Sequence, residues 1–71
     1  MLNHGQVVRL IFGLKLRELR QERNLSPAEL ARVCDVSVSY LNEIEKGKKY
    51  PKADKILSLS KALGVRYDQL T

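Results

Sequence analysis

The polar residues that could do chemistry crowd into one short stretch of the chain. Ser37, Ser39 and Tyr40 are followed by Asn42, Glu43 and Glu45, and then by the cations Lys46, Lys48, Lys49 and Lys52. Hydroxyl, amide and carboxylate groups beside a run of ammonium groups suit recognition of an anionic partner, nucleic acid first among them. Bond making is a poor fit. One histidine, His4, one cysteine, Cys34, no phosphate-binding glycine loop and no clustered carboxylates leave nowhere to build a nucleophile or an acid/base pair. His4 and Cys34 cannot assemble a metal-ligand set, and no cofactor is expected.

Composition narrows the classes further. The 71 residues allow one small domain, which excludes a large enzyme. A hydrophobic fraction of 44% with only four glycines argues against disorder and against a β-rich module. The formal net charge is +5. The longest apolar run, Leu10 to Phe12, is far short of the roughly 20 residues that span a bilayer. No signal-peptide pattern precedes it. A cytoplasmic protein associated with the nucleoid is expected.

The elements that must position the polar stretch follow from periodicity and caps. Val8, Phe12, Leu16, Leu19 and Arg23 recur at helical spacing, and the polar residues Lys15, Arg17, Glu18, Gln21 and Glu22 fall between them, predicting a first helix that ends near Asn24. Ser26-Pro27-Ala28-Glu29 combines an N-cap acceptor, a proline whose missing N–H is harmless there, and a glutamate able to reach back, so a second helix starts at this point. Its inward residues are Leu30, Ala31 and Cys34. Asp35 tolerates the left-handed backbone of a tight turn. Ser37 caps a third helix with Leu41 and Ile44 inward, ending at Gly47. A basic loop, Lys48 to Lys52, precedes a fourth helix with Ala53, Ile56, Leu57, Ser60 and Leu63 inward, closed by Gly64. Val65, Tyr67 and Leu70 suggest a final short turn or helix. No strand-length alternation occurs, and the fold class read here is all-α, a compact bundle of about five short helices.

Two short helices joined by a turn need a small residue where they cross, a turn residue able to take positive φ, and apolar residues locking the second helix. Ala31, Asp35, Val36, Leu41 and Ile44 lie at those offsets. With "LKLRELRQERNLSPAELA", "VSYLNEIEKGKKYP" and "ILSLSKALGV", the chain resembles the helix-turn-helix transcription regulators of the phage repressor and Cro family, often called XRE-type, from about Phe12 to Leu70. The resemblance implies a lambda-repressor-like DNA-binding domain over residues 12–71, with residues 1–11 as an N-terminal extension of helix one. It also implies that the third helix, Val38 to Lys46, enters the major groove of double-stranded DNA. Three departures stand out: Pro27 where many relatives carry Gln, Asp35 where many have Gly, and Lys52 where the cap of helix four is usually Ser or Thr.

With Leu41 and Ile44 inward, the outward face near the start of the third helix is Val38, Ser39, Asn42 and Glu43. These are the base-reading candidates: Asn for adenine, Val for a thymine methyl, Ser for several bases, Glu for cytosine N4. An ordinary solvated helix face is the competing reading. Residues 1–25 carry five basic and two acidic side chains, 26–45 one and four, and 46–61 six and one, so positive charge flanks the reading helix. Phosphate contacts are therefore expected from Arg17 and Arg23 on one side, from Lys46, Lys48, Lys49 and Lys52 on the other, and from the hydroxyls of Ser37 and Tyr40. A solvating lysine cluster, and for Tyr40 packing at the helix crossing, are the alternatives. Arg20 lies next to the buried stripe of helix one; in the family such an arginine pairs with a glutamate near the end of the reading helix, here Glu45, and the pair is assigned to structure. Cys34 reads as a small core residue.

A second stripe, Val7, Leu10, Ile11 and Leu14, is left over on helix one. It packs on the final turn, or it is a homodimer surface or meets a further domain. One module reads too few base pairs to find a genomic site, so a homodimer on a palindromic operator is expected. The function read here is sequence-specific DNA binding by a prokaryotic or phage transcriptional regulator. The alternative is a protein-interaction, antitoxin-like module that keeps the same fold.

Overall fold

The computed structural model describes residues 1–71, and five helices account for most of them: α1 (His4–Glu22), α2 (Pro27–Val33), α3 (Val38–Glu45), α4 (Ala53–Leu63) and α5 (Tyr67–Leu70). The first three begin at a side chain that caps them. The Asn3 side chain accepts from the Gln6 amide while the Gln6 side chain reaches back, closing a capping box at the start of α1. Ser26 and Glu29 do the same for α2. The hydrogen bonds from Ser26 hold the Glu29 carboxyl below its ordinary pKa. Ser37 caps α3 by accepting from the Tyr40 amide at 3.0 Å. Lys52, at the N-cap of α4, makes no side-chain cap, as its residue type implies.

The first helix stops two residues earlier than its pattern suggests. Arg23 is the C-cap and Asn24 takes the left-handed conformation, φ 54°, that ends the helix. Asp35 takes the same conformation, φ 55°, in the turn between α2 and α3, where its residue type predicts it. Phe12, Leu16, Leu30, Ala31, Cys34, Leu41, Ile44, Ile56, Leu59, Leu63 and Leu70 form one core. On α1, Val8 is exposed and Leu19 half-buried, while Phe12, Gly13, Leu16 and Arg20 face inward. On α4 the buried face is Ile56, Leu59, Ser60 and Leu63, so Leu59 replaces Leu57, which stays 44% exposed, and Ala53 also faces water. At 100° per residue those four lie within one narrow stripe and Leu57 falls beside it.

Gly13 brings α1 and α3 together. A Cβ there would stand 2.5 Å from the Ile44 carbonyl oxygen and 2.7 Å from that of Glu45, so only glycine admits the α3 backbone at this distance. The N-terminal part of α1 braces the far end of α3: the Arg9 guanidinium donates to the Gly47 carbonyl at 3.3 Å, and Leu10 packs where a side chain on Gly47 would sit. α1 thus supports the C-terminal end of the third helix. No helix is long and apolar enough to cross a membrane.

Candidate nucleic-acid interface

α3 is held from behind by a charge cluster. The Glu45 carboxylate, its side chain 4% exposed, accepts from Arg20 Nε at 2.7 Å and from the other arm of the same guanidinium at 3.0 Å, a bidentate pair. Arg20 also donates to the Leu25 carbonyl at 2.8 Å, which ties the loop before α2 into the same cluster. The hydrogen bond to Glu45 raises the Arg20 pKa further above its ordinary value. Arg17, half exposed, approaches Glu45 at 3.8 Å from the solvent side. Its charge is therefore shared between the cluster and the surface.

The front of α3 is free. Val38 and Ser39 are exposed, and Asn42 and Glu43 are half-buried on the same side. This face bears a hydroxyl, an amide, a carboxylate and a methyl pair within two helical turns. Beyond its end, the Gly47 amide donates to Ile44 and the Lys48 amide to Glu43, a Schellman-type closure with Gly47 at φ 77°. The closure folds the basic loop back beside the helix. Lys46, Lys48, Lys49 and Lys52 are all exposed. Lys49 Nζ lies 3.4 Å from Glu43 and 5.7 Å from the centre of the Tyr40 ring. Tyr50, packed edge-on against Phe12 at 5.0 Å, anchors the loop.

Ser37, Tyr40 and Lys52 come together in an open cleft of about 480 Å³ between the starts of α3 and α4, which Lys55 also lines. Since Ser37 Oγ accepts from the Tyr40 amide, its hydroxyl proton is left to donate outward. Asp35 and Asp54 border the cleft as well and balance its cations. Lys55 escaped the sequence reading. Its spacing from Lys52, one turn along α4, was the available signal. Arg23 is placed elsewhere. Its guanidinium donates to the Leu63 carbonyl at the end of α4 and to the Leu19 carbonyl at 3.1 Å, so the expected phosphate ligand joins two helices instead. Cys34 is buried, and burial raises its thiol pKa against the weaker opposing effect of Lys55, which suits a core residue.

Comparison with known proteins places this arrangement in company. Residues 16–70 match the helix-turn-helix family. The chain is 42% identical over 60 residues to the control protein C.BamHI of Bacillus amyloliquefaciens, covering 83% of this chain and 74% of that one. It is also 42% identical over 60 residues to the transcriptional repressor RghR of Bacillus subtilis, covering 83% of this chain but only 44% of the repressor. Among solved structures, the restriction-modification controller protein C.AhdI from Aeromonas hydrophila superposes with a TM-score of 0.88 at 32% identity, over 92% of this chain and 98% of that one.

Proposed function

The chain belongs to the helix-turn-helix family of DNA-binding transcriptional regulators, and we propose that it works by laying α3 in the major groove of a duplex with Val38, Ser39, Asn42 and Glu43 against the base edges. The observation that carries this reading is the free outward face of α3, braced from behind by the Arg20–Glu45 pair and flanked by exposed lysines. Asn42 suits a bidentate contact with adenine, Val38 a thymine methyl, Ser39 several bases and Glu43 a cytosine amino group. Lys46, Lys48, Lys49 and Lys52, with Ser37 and Tyr40, take phosphates; Arg17 takes one on the opposite flank. Arg23 is assigned to structure. No catalytic step is involved, and the place of action is the cytoplasm, at the nucleoid. Nothing in the comparisons favours an antitoxin-like role. Likeness along 98% of a restriction-modification controller supports control of genes of that kind.

Two copies on a two-fold symmetric site complete the reading, because one α3 addresses only a few base pairs. The surface assigned to pairing is the α1 stripe, where Ile11 and Leu14 stand 56% and 55% exposed beside an apolar recess of about 150 Å³ between Val8, Phe12, Tyr50 and Leu70.

Selection of bound sequences from a random duplex pool tests the function. The expected result is one preferred motif, with Asn42→Ala relaxing the preference at a single base pair and costing about 1–3 kcal/mol there but little on shuffled DNA. Neutralising Lys48 and Lys52 lowers the salt slope by about 2 without changing the motif. Recovery of no motif by the native chain would refute the base-reading role of α3.

A further inference from the structure

Lys49 does two jobs that exclude one another. Its ammonium is expected at a phosphate when DNA is bound, yet in the free chain it lies 3.4 Å from the Glu43 carboxylate and over the Tyr40 ring. The placement follows from the backbone. The closure at Gly47 and the bond from the Lys48 amide to the Glu43 carbonyl at 2.9 Å set Lys49 beside the last turns of α3, on the face that carries Glu43. Both side chains are about half exposed, 52% for Lys49 and 40% for Glu43. A pair so hydrated is weakly held and easily exchanged.

We propose that Lys49 and Glu43 form an exchangeable pair that makes one phosphate contact conditional on base identity. This rests on the reading of α3 as the groove helix. In the groove, Glu43 is an acceptor that must find a donor. Cytosine N4 and adenine N6 present amino groups; guanine O6 and thymine O4 present only acceptors. Where an amino group faces Glu43, it replaces the ammonium as partner, and Lys49 is released to a phosphate. Where an acceptor faces Glu43, Lys49 stays as its counter-ion and the phosphate contact is withheld. Glu43 then contributes to specificity twice: through the base edge, and through a cation that only the right base sets free. Tyr40 gives Lys49 a second resting contact on the protein side of the exchange.

The test compares salt dependence on two duplexes, the sequence recovered by selection and the same sequence carrying guanine or thymine in place of the base that faces Glu43. In the native chain Lys49 counts only on the selected duplex. Lys49→Met is therefore expected to lower the log–log slope there by about 0.9, a roughly 3.5-fold smaller loss of affinity between 50 and 200 mM salt, and to leave the slope on the substituted duplex unchanged. Glu43→Gln should do the reverse: it frees Lys49 on both, steepens the slope on the substituted duplex by about 0.9, and erases the preferred base at one position of the selected motif. Equal changes on both duplexes in Lys49→Met would make Lys49 an unconditional phosphate ligand and overturn the exchange. An unchanged slope on the selected duplex would also overturn it, by leaving Lys49 with Glu43 or on a base. In each of those cases the groove reading survives; absence of any selected motif would defeat both.

Discussion

Glu45 receives two arginines from α1, yet only one of them holds it firmly. Arg20 is 8% exposed and bonded through both arms, whereas Arg17 approaches at 3.8 Å from the surface. Removing Arg20 leaves the carboxylate at the back of α3 with only the looser approach of Arg17 at 3.8 Å, and loss of one member of a buried pair costs about 3–5 kcal/mol. For a domain whose total stability is of the order of 5–15 kcal/mol, Arg20→Ala should lower the thermal midpoint sharply. Arg20→Met combined with Glu45→Leu should recover much of the loss, since an apolar replacement of both partners is often neutral. A single variant that melts like the parent would show that the pair contributes little. The pair was legible because both residues stand where the resemblance expects them. Arg17's share in it was not: its distance to Glu45 depends on how α1 and α3 cross, which helical spacing does not encode.

At the scale of the element, α4 shows a conflict between folding and binding. Its N-cap is a lysine that leaves the first-turn amides without a side-chain acceptor, and the same lysine lines the cleft assigned to phosphate. Lys52→Ser should therefore stabilise the domain by about 1 kcal/mol, raising the melting midpoint by roughly 4–8 °C, while weakening DNA binding by one phosphate contact. A variant that melts higher and binds as well as the native chain would remove Lys52 from the interface. The existence of all five helices could be read from the chain because Ser26, Ser37, Gly47 and Gly64 mark starts and stops by residue type. The inward faces were harder. Leu57 and Leu59 are equally apolar, and the choice between them depends on which side of α4 meets α2 and α5. Gly13 gave no signal at all, because its value lies in the carbonyls of a helix 31 residues further on.

For the whole molecule, the longest dimension is 34 Å and the others are 24 and 22 Å. One such body covers about one turn of a duplex, and two reading helices in successive major grooves are set about 34 Å apart. Sedimentation with and without an inverted repeat should show two chains on the repeat, and Ile11→Glu with Leu14→Glu should weaken pairing while leaving the melt of each domain nearly unchanged. One chain per repeat at saturation would refute the paired arrangement. A last consequence follows from the way α3 divides its residues. Leu41, Ile44 and Glu45 belong to the core, while Val38, Ser39, Asn42 and Glu43 look outward. On the reading of α3 proposed above, substitutions in the outward set change the address this protein answers to while the frame that displays it stays intact, so two copies of its gene are free to drift apart in target while staying alike in shape.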